Sequence, residues 1–133
     1  MRPRLFPILL LAAACTAPIN PAALPQLAAD EVRWFRIDRL DTQNHPAETS
    51  LLAVQAQPDG TSRWIQTDAF GAPQARMVLS ARGWRRDGFI MPNQKSQKLF
   101  TAMLPLLKQP AGQPETLQTG RERWQVTPIR QQP

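Results

Sequence analysis

Hydrophobic and polar residues alternate through the middle of the chain, as they do in strands that bury one face. In residues 32–40, VRWFRIDRL, every second position falls on the same face, with Arg33, Phe35 and Ile37 together. Asp59 and Gly60 follow Pro58 and supply the positive φ angles of a tight hairpin turn. The same alternation predicts five further strands, over residues 50–57, 62–70, 74–81, 84–91 and 121–129.

The period of the pattern changes after Pro92. Asn93 is a residue type that caps helices, and apolar residues then recur at helical spacing. Pro105 removes a backbone hydrogen bond, so we expect the helix to kink or end there. Residues 42–48 and 109–120 are predicted loops. The apolar positions predict one amphipathic helix packed on the sheet through Leu99, Phe100, Met103, Leu104 and Leu107, in an α+β domain.

The first fifteen residues have another pattern. Arg2 and Arg4 precede ten mostly apolar residues, which end in three alanines, and Cys15 follows directly. A positive start, a short apolar core and small residues before the cleavage site are the parts of a secretory signal. The apolar run has about half of the ~20 residues that a transmembrane helix needs. The small residues before Cys15 resemble the lipobox of bacterial lipoproteins. The resemblance implies that residues 1–14 are removed and that the Cys15 thiol carries a lipid, labelled by palmitate. The alternative is an ordinary signal peptide with a chance cysteine.

Thr16 bears on the destination of such a lipoprotein. In many bacteria an Asp after the lipidated cysteine retains the protein at the inner membrane, and the residue here is Thr. By resemblance to that sorting rule, we expect a lipid anchor in the outer membrane, on its periplasmic face.

Residues 15–29 are rich in Ala and Pro and carry no charge. We interpret residues 16–29 as a tether between lipid and domain, and the three prolines weaken the alternative of a first strand or helix. In an extended polyproline conformation these fourteen residues would reach roughly 43 Å. The predicted organisation is therefore a signal peptide (1–14), a lipidated cysteine with its tether (15–29) and one β-rich domain (30–133).

The charge of the chain is mildly basic. Sixteen basic residues stand against ten acidic ones, and Arg2 and Arg4 would leave with the signal peptide. The remaining excess favours anionic lipid head groups, whereas nucleic acid is a poor partner for an exported chain. Once Cys15 is acylated, no thiol remains for a disulfide or a metal.

Residues that could do chemistry are scarce. His45 is the only histidine, and it lies before Pro46 in a polar loop. A metal site needs two or more His or Cys residues or clustered carboxylates, and a phosphate loop needs glycines at fixed spacing. The sequence therefore predicts no enzyme, no metal and no cofactor.

Aromatic residues recur at one or two per predicted element, and two interpretations stay open. They fill a closed core, or some of them line a concave sheet that a lipid chain enters. Trp64 and Trp84 are the candidates for a cavity wall. Arg85 and Arg86 are then candidate contacts for an anionic head group at its mouth.

The order of elements resembles the LolA/LolB type of lipoprotein-localisation proteins and the outer-membrane lipoproteins related to them. The resemblance is carried by residues 50–57, the Trp64 strand, the turn at 70–73, the strand at 77–79 and residues 87–89 before the helix. It implies a strongly curved antiparallel sheet, an incomplete barrel, closed around a cavity for acyl chains. The expected function is to bind a lipid or a lipidated protein. The alternative is a structural or assembly lipoprotein with a packed core that contacts other envelope proteins.

Overall fold

The structure, a computed structural model, describes residues 18–110 and 112–130. Its strands are β1 (Val32–Leu40), β2 (Pro46–Ala56), β3 (Ser62–Asp68), β4 (Pro73–Ser80), β5 (Gly83–Arg86), β6 (Glu115–Thr119) and β7 (Glu122–Ile129). They form one antiparallel sheet in the order β5-β4-β3-β2-β1-β7-β6. The sheet curls into a half-barrel, and one α-helix, α1 (Gln94–Met103), packs on it. The predicted α+β fold with a strongly curved antiparallel sheet is confirmed.

The helix begins and ends where the sequence places its signals. The Asn93 side chain accepts a hydrogen bond from the backbone N–H of Ser96, at 3.1 Å, and so caps the first turn. Because Pro105 has no N–H, the α-helix stops at Met103, and a 3₁₀ turn over Leu104–Lys108 continues the chain. The predicted apolar face is confirmed, since Leu99, Phe100, Met103, Leu104 and Leu107 are all buried.

The core lies between α1 and the inner face of the sheet. Strand periodicity selects that face, so that Phe35 and Ile37 of β1 are buried beside Leu52 and Val54 of β2. Each such side chain contributes about 1.5–3 kcal/mol when it leaves water. This burial closes the half-barrel without a disulfide among the described residues.

Three predicted boundaries are wrong. The predicted loop at 109–120 contains β6, whose residues ETLQT hold a single large apolar side chain, Leu117, and so give little periodic signal. The strand predicted over 84–91 ends at Arg86, because Gly88, with φ +83°, turns the chain towards α1. The predicted loop at 42–48 is shorter, since β2 already begins at Pro46.

The chain before β1 lies against the domain. Ile19, Leu24 and Leu27 pack on the core while partly exposed, and the backbone N–H of Ile19 donates to the carbonyl of Ala81 at 3.3 Å. A freely extended tether is therefore wrong for residues 18–29. The predicted signal peptide, Cys15 and Thr16 lie outside the described residues. None of the helices that the structure describes has both the length and the apolar character to cross a membrane.

Candidate functional site

A groove of about 960 Å³ opens at one end of the half-barrel. It exists because β6 begins only at Glu115, opposite Val126, so the last residues of β7 pair with β1 on one side and have no strand on the other. The 3₁₀ turn after α1, with residues 109, 110, 112 and 113, forms the opposite wall. We call this the β1–β7 groove, with an apolar lining of Trp34, Phe35, Leu106, Val126, Pro128 and Ile129.

Charged side chains form the rim of the β1–β7 groove. Arg33, Lys108 and Arg130 are its cations, and Glu31 and Glu115 are its carboxylates. The apolar floor with a charged rim of net charge +1 suits a molecule that has an apolar chain and an anionic or zwitterionic head. The volume is within the ~300–1,000 Å³ that is usual for small-molecule pockets.

Arg33 holds the two walls of the groove together. Its guanidinium donates to the carbonyl oxygens of Leu107 at 3.2 Å and Gln109 at 2.8 Å. On the other side its Nε donates to Glu31 Oε1 at 3.0 Å. Since Arg33 is on β1 and the two carbonyls end the 3₁₀ turn, this side chain fixes the width of the groove.

Glu31 links the N-terminal segment to Arg33. The backbone N–H of Ala28 donates to Glu31 Oε2 at 2.7 Å, and this bond is the main reason why the pKa of Glu31 lies below its usual 4.5. The hydrogen bond that Arg33 donates to Glu31 and the positive charge of Arg33 lower this pKa further. Because the folded pKa is depressed, Glu31 contributes stability above its unfolded pKa and loses it as the pH falls through the folded value.

A Glu31→Gln variant should therefore be less sensitive to acid than the wild type. We expect a smaller fall in melting temperature between pH 7 and pH 3, because the amide cannot take up the proton that weakens the link. Thermal unfolding by circular dichroism across this range measures the difference. Glu115→Gln, on the same rim, is the matched control and should keep the wild-type slope. Equal slopes for wild type and Glu31→Gln would contradict the role of this carboxylate.

Trp64 and Trp84, the predicted cavity wall, lie in a packed aromatic cluster. The Trp64 ring is 5.1 Å from that of Trp84, edge to face, and 5.2 Å from Phe100. Trp64 is fully buried and donates its indole N–H to Ser62 Oγ at 2.9 Å. The Trp84 indole N–H donates to Thr101 Oγ1 at 2.9 Å. Strand alternation indicated the face of Trp64, but neither ring lines the β1–β7 groove.

Arg85 and Arg86, the predicted head-group contacts, are exposed on β5. That strand forms one edge of the sheet, and β4, β3 and β2 separate it from β1. The structure therefore brings neither arginine to the rim of the groove. Lys108, Arg130 and Arg33 occupy that place instead, and sequence reasoning missed them because they come from three distant parts of the chain.

Two aromatic residues lie outside the core and are fully exposed. Phe70 and Phe89 have 95% and 104% relative exposure, and Met91 has 76%. All three lie in turns beyond the ends of strands, where alternation no longer determines which way a side chain points. Phe70 lies in the turn between β3 and β4, at the end of the half-barrel opposite the β1–β7 groove, and the loop that carries Phe89 and Met91 ends at Asn93, whose side chain donates to the carbonyl of Gln74.

A second, polar pocket of about 420 Å³ lies under the start of α1. At its floor Gln66 is buried, donates to Ser50 Oγ at 2.8 Å and accepts from Ser96 Oγ at 2.6 Å. The amide thereby joins β2, β3 and α1, and its hydrogen bonds offset the cost of burying it. Gln66 follows Trp64 on the inner face of β3, so alternation alone could have identified it.

No group of three or more His, Cys, Asp or Glu side chains in residues 18–110 and 112–130 could hold a metal ion. His45 is exposed, and its backbone N–H donates to Asp41 Oδ1 at 2.9 Å. Comparison with protein-family models, with curated proteins and with solved structures finds no match to this chain.

Proposed function

We propose that this chain is a lipoprotein held on the periplasmic face of the outer membrane through Cys15, and that its domain binds an acyl chain in the β1–β7 groove. The observation that carries the proposal is the groove itself, which has an apolar floor, a charged rim and a volume of about 960 Å³. No catalytic step is part of the proposal.

The floor of the groove suits an aliphatic chain. Phe35 and Val126 are buried beneath the groove, and Leu106, Pro128 and Ile129 expose apolar surface to it. Each methylene that leaves water contributes about 0.8 kcal/mol. Lys108 and Arg130 on the rim can hold a carboxylate or phosphate head by a charge-assisted hydrogen bond.

Leu106→Asn should weaken the binding of a fatty acid at least tenfold, because a polar amide would meet the chain. The matched control is Leu117→Asn, since Leu117 is also a half-buried leucine packed on the core but does not line the groove. Calorimetric titration with oleate below its micelle concentration gives both affinities. Equal affinities for the wild type and Leu106→Asn, with both proteins folded, would exclude the groove as the site.

A second candidate function is the structural or assembly role, in which the domain contacts another envelope protein. The exposed side chains of Phe70, Phe89 and Met91 favour it, because large apolar side chains left in water are available for contact with a partner. Native mass spectrometry of the protein purified from membranes separates the two. Bound lipid would favour acyl binding, and a ligand-free mass would favour the structural role.

A further inference from the structure

The two ends of the half-barrel are distinguishable by strand direction. One end, which we call the Val32 end, contains the start of β1 and the end of β7. The turns at 57–61 and 81–82 lie at the same end. At the other, the Phe70 end, lie the turn at 69–72 and the loop at 87–92. Strand β3 spans the two with seven residues, about 23 Å at ~3.3 Å per residue. The β1–β7 groove opens at the Val32 end, between the paired ends of β1 and β7 on one side and the residues that follow α1 on the other.

The N-terminal segment is fixed to the same end. Ile19 is hydrogen-bonded to Ala81, in the turn between β4 and β5. Leu24 and Leu27 line a small pocket together with Gly60, which is in the turn between β2 and β3. The chain therefore reaches the domain at the Val32 end and stays there until β1 begins.

The distance from Cys15 to that end is short. Only residues 16–18 stand between Cys15 and Ile19. Even fully extended, the four steps from Cys15 to Ile19 cover no more than about 14 Å. A lipid on Cys15 would thus hold the Val32 end close to the bilayer and the Phe70 end away from it.

We propose that the β1–β7 groove faces the membrane that anchors the chain and takes its acyl ligand directly from that bilayer, as a glycerophospholipid chain. This inference rests on the proposed function and on lipidation of Cys15. The rim supports it, since three cations against two carboxylates suit the phosphate of a lipid head group. The acyl chain then moves from the bilayer into the groove without passing through water.

Photo-crosslinking from a bilayer tests this orientation. The chain from Cys15 to Pro133 contains every described residue, and Cys15 is its only cysteine. Its thiol is coupled to a maleimide lipid in vesicles of phosphatidylethanolamine and phosphatidylglycerol that include a phospholipid with a diazirine in its acyl chain. After irradiation, peptide mass spectrometry locates the adducts. We expect them on the peptides that carry Phe35, Leu106 or Val126.

The matched control anchors the same domain by its opposite end. Ala69 is exposed in the turn at the Phe70 end, so a Cys15→Ser, Ala69→Cys variant is held equally close to the bilayer but inverted. We expect at least tenfold less adduct in the groove, with an unchanged circular dichroism spectrum. Equal labelling of the groove from both anchoring positions would overturn the orientation.

Two further labelling experiments distinguish the possible sources of the bound acyl chain. If only a diazirine placed in the maleimide lipid labels the groove, the groove holds the protein's own anchor, and the proposal is wrong. A diazirine fatty acid without vesicles tests the proposed function alone. Its adducts in the groove, together with no adducts from the bilayer, would leave acyl binding standing and overturn the membrane-facing orientation. No adducts from either source would contradict both.

Discussion

Phe100→Ala is expected to destabilise the domain by about 3–5 kcal/mol. Phe100 is fully buried, and its ring lies 5.2 Å from that of Trp64 and 5.9 Å from that of Trp84. The truncation removes the ring that packs on both indoles and leaves a cavity between helix and sheet. Since the free energy of unfolding of native proteins is only about 5–15 kcal/mol, the variant would lose much of its stability.

Urea unfolding followed by tryptophan fluorescence measures this loss. Lys98→Ala, on the exposed side of α1, is the control and should change the free energy of unfolding by no more than about 0.5 kcal/mol. A Phe100→Ala protein as stable as the wild type would mean that α1 does not pack on the sheet in solution.

Cys15→Ser is expected to release the protein from membranes. The lipobox resemblance gives Cys15 two acyl chains from its diacylglycerol, and each buried methylene adds about 0.8 kcal/mol to membrane binding. A serine at this position offers no thiol for the lipid, so the chain should move to the soluble fraction and take up no radioactive palmitate.

Fractionation of cells that produce either form, with palmitate labelling, checks this prediction. Equal labelling of the wild type and Cys15→Ser would show that the lipid, if any, is attached elsewhere. Recovery of the wild type in the inner membrane would contradict only the sorting that Thr16 predicts.

The sheet could be predicted from the sequence wherever one strand face is buried. Strand β1 has the predicted bounds because Phe35 and Ile37 alternate with polar or half-buried neighbours. Strand β6 was missed because it lies at the edge of the sheet and has only Leu117 to bury. The strand predicted over 62–70 ends at Asp68 instead, so Phe70 lies in the following turn, where alternation does not determine its burial.

The candidate site was not predictable from local patterns. Arg33 reaches the carbonyls of Leu107 and Gln109, which are 74 and 76 residues away in the chain. The groove depends on β7 extending past β6, a detail of register that alternation does not contain. Trp64 was assigned to the correct face, but whether that face surrounds a cavity or a packed core depends on how α1 fills it.

The location of a bound acyl chain tests the central claim most directly. Crystals of the protein with a fatty acid brominated in mid-chain would show the bromine by its anomalous scattering. We expect the peak in the β1–β7 groove, beside Leu106 and Pro128. A bromine peak beside Phe70 and Phe89, or none in the groove at saturating ligand, would contradict the assignment of this groove as an acyl-binding site.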